Sequence, residues 1–220
     1  MKKILLVTDA WAPQRNGVVN VQNAHIALLK ARGYEVIVVE PTQFKTIPLP
    51  MYPEIHLALF ARRRVAKIIE DVQPDAIHLM TEGPLGWAAR SVCKKRGIPF
   101  TTWYHSHFQL YVNIRLRGLL WPILALVRRF HAAAVATMVS TASLKRELES
   151  VGYKKVVIVP LGVDIAHFVR NPNPPLPALP KPVFVYFSRL DPEKSPEEFL
   201  KLQLPGTKLV IGGGVNRARL

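Results

Sequence analysis

The chain has 220 residues, 49% of them apolar, enough for one large domain or for one domain and part of another, and this excludes general disorder. Its 30 Lys and Arg against 15 Asp and Glu leave a formal charge of +15, so an anionic partner is expected: nucleic acid, membrane lipid or a phosphorylated substrate. Cys93 is the only cysteine, which excludes an internal disulfide, and its helical surroundings mark it as core filling.

Strand-like and helix-like segments alternate from the start. The apolar run after Lys3 is too short for a signal segment, and Lys3–Thr8 reads as a buried strand. Val18–Lys30 reads as a helix stopped by Gly33, and Glu35–Glu40 as a strand. Thr46–Leu59 carries Pro48, Pro50 and Pro53, which predicts an irregular extended stretch or an edge strand. Arg62–Val72 is a helix ending before Pro74, Ala76–Met80 a strand, Leu85–Arg96 a helix closed by Gly97, and Phe100–Tyr104 a strand. Leu116–Ala133 reads as a long helix kinked at Pro122. Its apolar part is too short to span a bilayer, so a cytoplasmic protein is expected, with the inner membrane surface still in play. Thr137–Ser140 is a strand, Ala142–Val151 a helix closed by Gly152, and Val156–Val159 a strand. This alternation predicts an α/β fold, a Rossmann-like parallel sheet with helices on both faces and ligands at the C-terminal strand edge. Residues 171–180 hold five prolines and form a semi-rigid linker. A second, incomplete βαβ comes after it in Val183–Phe187, Pro196–Leu202 and Lys208–Ile211.

Three loops at strand ends can carry chemistry. Asn16-Gly17 opens the first helix, where the backbone can approach a phosphate or sugar; a purely structural turn serves the same residues. His105 and His107 come just after a strand. With no carboxylate near them a metal pair is a poor reading, and a sugar-contacting histidine is more economical. Gly162 permits a tight turn and Asp164 can cap the next segment, as a domain exit or as a ligand contact. The richest segment is Ser188–Lys194, where Arg189 and Lys194 stand five apart between a buried strand and a helix start. A helix start offers free N–H groups, and the two cations add full charges, a combination suited to a diphosphate.

In order and spacing these segments resemble a family-4 (group 1) retaining glycosyltransferase of GT-B architecture. The resemblance rests on Asp9–Val18, the His105–Tyr111 loop, Phe130-His131, Val139-Ser140 with Lys145–Leu148, Pro160–Asp164 and Ser188–Lys194. It implies an N-terminal acceptor domain over 1–170, a linker over 171–182 and the start of a nucleotide-sugar domain over 183–220. It implies that His105, Arg189 and Lys194 are catalytic: His105 contacts the donor sugar, and the two cations neutralise the departing diphosphate. Asn16, Gly17, Gly162, Arg189 and Lys194 would form the donor-binding set. The nucleotide sugar is then a co-substrate, and no metal or other cofactor is expected.

Two departures stand out. The family's paired glutamates, separated by seven residues in the second domain, do not occur before Leu220, and Gly212-Gly213-Gly214 stands where many members have Gly-Asp-Gly. A 220-residue form is therefore expected to have little or no activity, and a catalytically inactive remnant acting as a binding module is the alternative. The acceptor is expected to be a glycan or a lipid. The basic clusters Arg115-Leu116-Arg117 and Arg128-Arg129 bracket an apolar helix, and Arg62-Arg63-Arg64 and Lys94-Lys95-Arg96 add further clusters; such a face suits an anionic membrane surface, and the Tyr104–Tyr111 and Phe130-His131 segments resemble the lipid-modifying branches of the family. The same helix also reads as core with solvated arginines at its ends. Nucleic-acid binding fits the charge, but no zinc pattern, aromatic RNA-binding motif or helix-turn-helix accompanies it, and none is expected.

Overall fold

The computed structural model describes every residue except 15, 50–51, 106–119, 173–177, 192–193, 215–216 and 218–220. The chain forms two compact units, Met1–Gly162 and Val163–Leu220.

In the first unit the apolar runs become β1 (Lys3–Val7), β2 (Glu35–Val39), β5 (Ala76–Leu79), β6 (Thr101–Trp103), β7 (Ala136–Val139) and β8 (Val156–Ile158). They form one sheet, in the order β2-β1-β5-β6-β7-β8, and every pairing is parallel. Between them run α1 (Gly17–Ala31), α2 (Arg62–Val72), α3 (Pro84–Arg96), α4 (described over Leu120–His131) and α5 (Ala142–Ser150). Strand residues alternate between faces. Leu5, Val7, Ile77 and Leu79 share a core with Val65 and Ile69 of α2, Leu85 to Cys93 of α3 and Phe130 of α4. In the opposite direction Trp103 meets His25 of α1, with ring centroids 5.0 Å apart. A second cluster, Tyr104, Val127, Val139, Leu148 and Val156, ties α4 and α5 to the far end of the sheet. The α/β parallel sheet expected from the alternation is the fold observed.

Two segments need comment. The proline-bearing stretch is an antiparallel hairpin, β3 (Thr46–Leu49) with β4 (Tyr52–Ala58), and its register shifts between Pro48 and Leu49. Pro48 is tolerated because a two-stranded ribbon leaves half of its backbone groups outside the ladder. The long helix is described only from Leu120, so Arg115, Arg117 and residues 116–119 of the expected helix lie outside the described residues. Its apolar residues Ile123, Val127 and Phe130 pack into the cores while Arg128 and Arg129 are exposed, which over the described residues is the arrangement of a core helix with a solvated C-terminal end.

In the second unit β9 (Val183–Phe187) pairs in parallel with β10 (Thr207–Ile211), joined through α6 (Pro196–Lys201). Tyr186 faces Phe199 of α6 at 5.5 Å between ring centroids.

Candidate functional site

The strand order places a switch point between β1 and β5. From β1 the chain crosses to β2 on one side, then returns past β1 to β5 on the other. Ligands of such sheets bind in the crevice outside the C-terminal strand ends at this point. The loops that end β1, β5 and β6 form that rim.

After β1 the loop is held by its own side chains. Thr8 Oγ1 accepts from Ala10 N at 3.1 Å, Gln14 Nε2 donates to Asp9 O at 3.0 Å, and Gln22 Nε2 donates to Ala10 O. Asn16 caps α1, its Oδ1 accepting from Val19 N at 3.0 Å, while its Nδ2 donates to Gln14 at 3.3 Å. Gly17 is exposed, and a Cβ there would meet no atom within 4 Å, so its backbone faces open space.

The largest surprise at the rim is Asp9, only 6% exposed. The N-cap of α3 is Gly83, which has no side chain to satisfy the first helical amides. Asp9 does this from another strand: Oδ1 accepts from Leu85 N at 2.8 Å and Oδ2 from Gly86 N at 3.2 Å, with Thr81 Oγ1 at 2.9 Å. Gly83 has to be glycine, since a Cβ would crowd against the Asp9 carboxyl carbon. Burial pushes the Asp9 carboxyl up to about 6 against the pull of these hydrogen bonds. The α3 N-terminus, the ready-made anion site of this switch point, is thus filled by the protein's own carboxylate.

At the end of β6, Tyr104 is buried and His105 stacks on Trp103 with centroids 5.1 Å apart and planes at 3°. His105 Nε2 is buried with no hydrogen-bond partner among the described residues. Burial, then His25 and His131, lower its pKa to about 4, so the ring is neutral at physiological pH. A neutral imidazole with one nitrogen unused is suited to hydrogen-bond an uncharged hydroxyl rather than to deliver a proton. Ser106, His107 and the rest of that loop to Tyr111 lie outside the described residues.

Close by, His131 of α4 is 2% exposed. Its Nδ1 lies 2.8 Å from Thr102 Oγ1, which lies 3.1 Å from Thr137 Oγ1, and its Nε2 lies 3.1 Å from Glu82 Oε1. His78 is bound through Nδ1 to Thr101 Oγ1 at 2.6 Å and driven by burial to about 3. Glu82, Asp9 and His78 carry no local signal of these roles, because their partners lie on other elements. The one available signal was Asp9's position just after a buried strand. Among the described residues no group of three or more His, Cys, Asp or Glu is placed to hold a metal ion.

Gly162 is exposed, and no left-handed φ is found there, so its turn does not call for glycine. The turn comes two residues later: Asp164 Oδ1 accepts from Ala166 N at 3.0 Å and His167 N at 3.2 Å. In the second unit Arg189 pairs with buried Asp191, Nη1 to Oδ2 at 2.7 Å, so its charge is partly spent inside the loop. Lys194 is exposed, and its carbonyl accepts from Tyr186 Oη at 2.8 Å. Close packing of Gly212 on Ser188 O and of Gly214 on Leu190 holds this loop; a Cβ on Gly212 would fall 1.8 Å from that oxygen. Glu197 and Glu198 occupy the first turn of α6, so the helix end already has carboxylates beside it.

A parallel sheet with its rim at a β1/β5 switch point defines a Rossmann-like domain. The fold is that of GT-B enzymes: it matches sucrose-phosphate synthase from Thermosynechococcus elongatus with a TM-score of 0.69 at 17% identity, over 100% of this chain and 66% of that one. The chain belongs to Glycosyltransferase Family 4, whose family model matches residues 15–167. It is 27% identical over 86% of its length to a sulfoquinovosyl transferase of Arabidopsis thaliana, and 24% identical over 99% to a GDP-mannose-dependent alpha-mannosyltransferase of Mycobacterium tuberculosis. The chain spans 42% and 64% of the lengths of these two relatives.

Proposed function

We propose that this chain provides the acceptor side, and the first part of the donor side, of an enzyme that moves a sugar from a nucleotide sugar to a glycan or lipid with retention. Membership of Glycosyltransferase Family 4 carries this reading. In it, His105 offers its unused Nε2 to a hydroxyl of the donor sugar. The open backbone at Gly17 lies against the donor. Lys194, helped by Arg189, takes the charge of the leaving diphosphate, the place where electrostatic stabilisation counts most. Donor chemistry needs no metal in this scheme. The protein expressed from its own gene, offered a panel of nucleotide sugars with lipid extracts and oligosaccharides, is expected to release nucleoside diphosphate only when both donor and acceptor are present. No acceptor-dependent release from any donor would sink the reading.

A membrane acceptor calls for a surface that reaches it. Among the described residues no helix is long and apolar enough to cross a membrane. Phe60 is 96% exposed directly ahead of α2, where Arg62, Arg63 and Arg64 are all exposed. An apolar ring beside three exposed arginines fits an anionic lipid surface. Co-sedimentation with vesicles containing phosphatidylserine is expected, falling about tenfold in Phe60→Ser and steeply with added salt. Equal sedimentation with neutral vesicles would remove this surface from the account.

A further inference from the structure

A separate cavity of about 270 Å³ lies between the loop after β1 and the β3–β4 hairpin. Trp11 and Gln14 line it from the loop, and Phe44, Thr46, Glu54 and His56 from the hairpin side. Its volume falls just under the roughly 300–1,000 Å³ of sites for drug-sized ligands, a size that suits a single sugar ring.

The charge on the described lining is acidic. In a chain of formal charge +15, no Lys or Arg is among the described residues of this wall, and the exposed carboxylate of Glu54 is. A phosphate against Glu54 would meet like charge. Arg64 lies nearby, but its guanidinium sits 5.3 Å over the Phe44 ring. That leaves half-buried Trp11 as the free flat surface. His56 is oriented by a 3.1 Å contact from Nδ1 to Thr46 Oγ1. An aromatic plate with a few fixed polar groups around it is the composition of a site for an amphipathic, uncharged ring.

The cavity is also wired to the donor side of the first unit. Gln14 in its wall accepts from Asn16, the cap of α1, and Asn16 directly precedes Gly17.

We propose that this cavity seats an uncharged sugar ring of the acceptor, with Trp11 under its C–H face and Glu54 accepting from its hydroxyls. The inference rests on the glycosyltransferase reading and narrows it: the acceptor presents a neutral glycan, free or as a glycolipid headgroup, beside its reacting hydroxyl.

Saturation-transfer NMR on the chain tests it with methyl α- and β-pyranosides of glucose, galactose and mannose, and with glycerol 3-phosphate as the anionic probe. At least one pyranoside is expected to bind in the millimolar range. Affinity should fall at least fivefold in Trp11→Ala and in Glu54→Gln and be largely kept in Trp11→Phe. Glu54 is exposed, so its variant cannot fail merely by unfolding. Binding of no pyranoside, binding unchanged in both variants, or a preference for glycerol 3-phosphate overturns the proposal. A matching glycolipid in neutral vesicles separates the sources: tighter binding there assigns the ring to a headgroup, equal binding to a free glycan. No donor is present in this experiment. Its failure leaves the transfer reading standing, and a failed donor panel with intact pyranoside binding removes only the transfer reading.

Discussion

In the protein expressed from its own gene, His105→Ala is expected to lower kcat about 100-fold with little change in the urea midpoint. The ring is stacked on Trp103, and its Nε2 is buried without a partner among the described residues. Removing it therefore costs few contacts in the free protein. In the reaction it removes one hydrogen bond made in a water-poor site, and such bonds are worth about 3 kcal/mol when they strengthen in the transition state. The pH profile discriminates between roles. A histidine held at about 4 stays neutral through the whole neutral range, so no limb near pH 6–7 belongs to it. A limb near pH 6.5 that disappears in the variant would make His105 a proton donor and defeat the hydroxyl-contact role. The same assay reads Lys194→Ala, where the loss belongs in kcat more than in KM, because the charge it answers develops as the diphosphate leaves.

Asp9→Ala is expected to be the most damaging single change to the fold. It strips the acceptor from Leu85 N, Gly86 N and Thr81 Oγ1 in a buried place. Each unsatisfied buried donor costs about 1–3 kcal/mol, so the sum, allowing for relaxation, is roughly 3–5 kcal/mol. That is a large share of the ~5–15 kcal/mol that keeps a domain folded. An unchanged urea midpoint would show that water replaces the carboxylate.

Asp9 also has a pH signature. Its folded pKa is raised from 3.8 to about 6, so the native state binds its proton more tightly than the unfolded chain. The stability that this provides is present at low pH and is lost as pH rises from about 4 to about 6. His78 and His105, lowered to about 3 and about 4 from 6.5, run the other way: both are neutral in the fold, and protonation below about 6.5 favours unfolding. Two histidines outweigh one carboxyl, so stability of the parent protein rises with pH across this window. Asp9→Asn, which keeps an acceptor but cannot ionise, is expected to show a steeper rise. Parallel profiles for the two proteins would contradict the burial account of Asp9.

What the sequence determined by itself was whatever rests on short-range pattern. Apolar runs of four or five residues, helical stripes and stop signals at Gly33, Gly97 and Gly152 placed most of the described strands and helices, because periodicity and backbone preference are local properties. They also brought Gly17 and His105 to strand ends, and hence to the ligand rim. Only the tertiary structure decided how those ends are used. Asp9 meets Leu85 across 76 residues and His131 meets Glu82 across 49, and no local spacing announces either pair. Arg189 shows the same limit at short range. The sequence offered two cations for a diphosphate, but the fold turned buried Asp191 onto one of them. A charge in a sequence has no direction; packing supplies the direction, and with it the partner, the desolvation and the pKa.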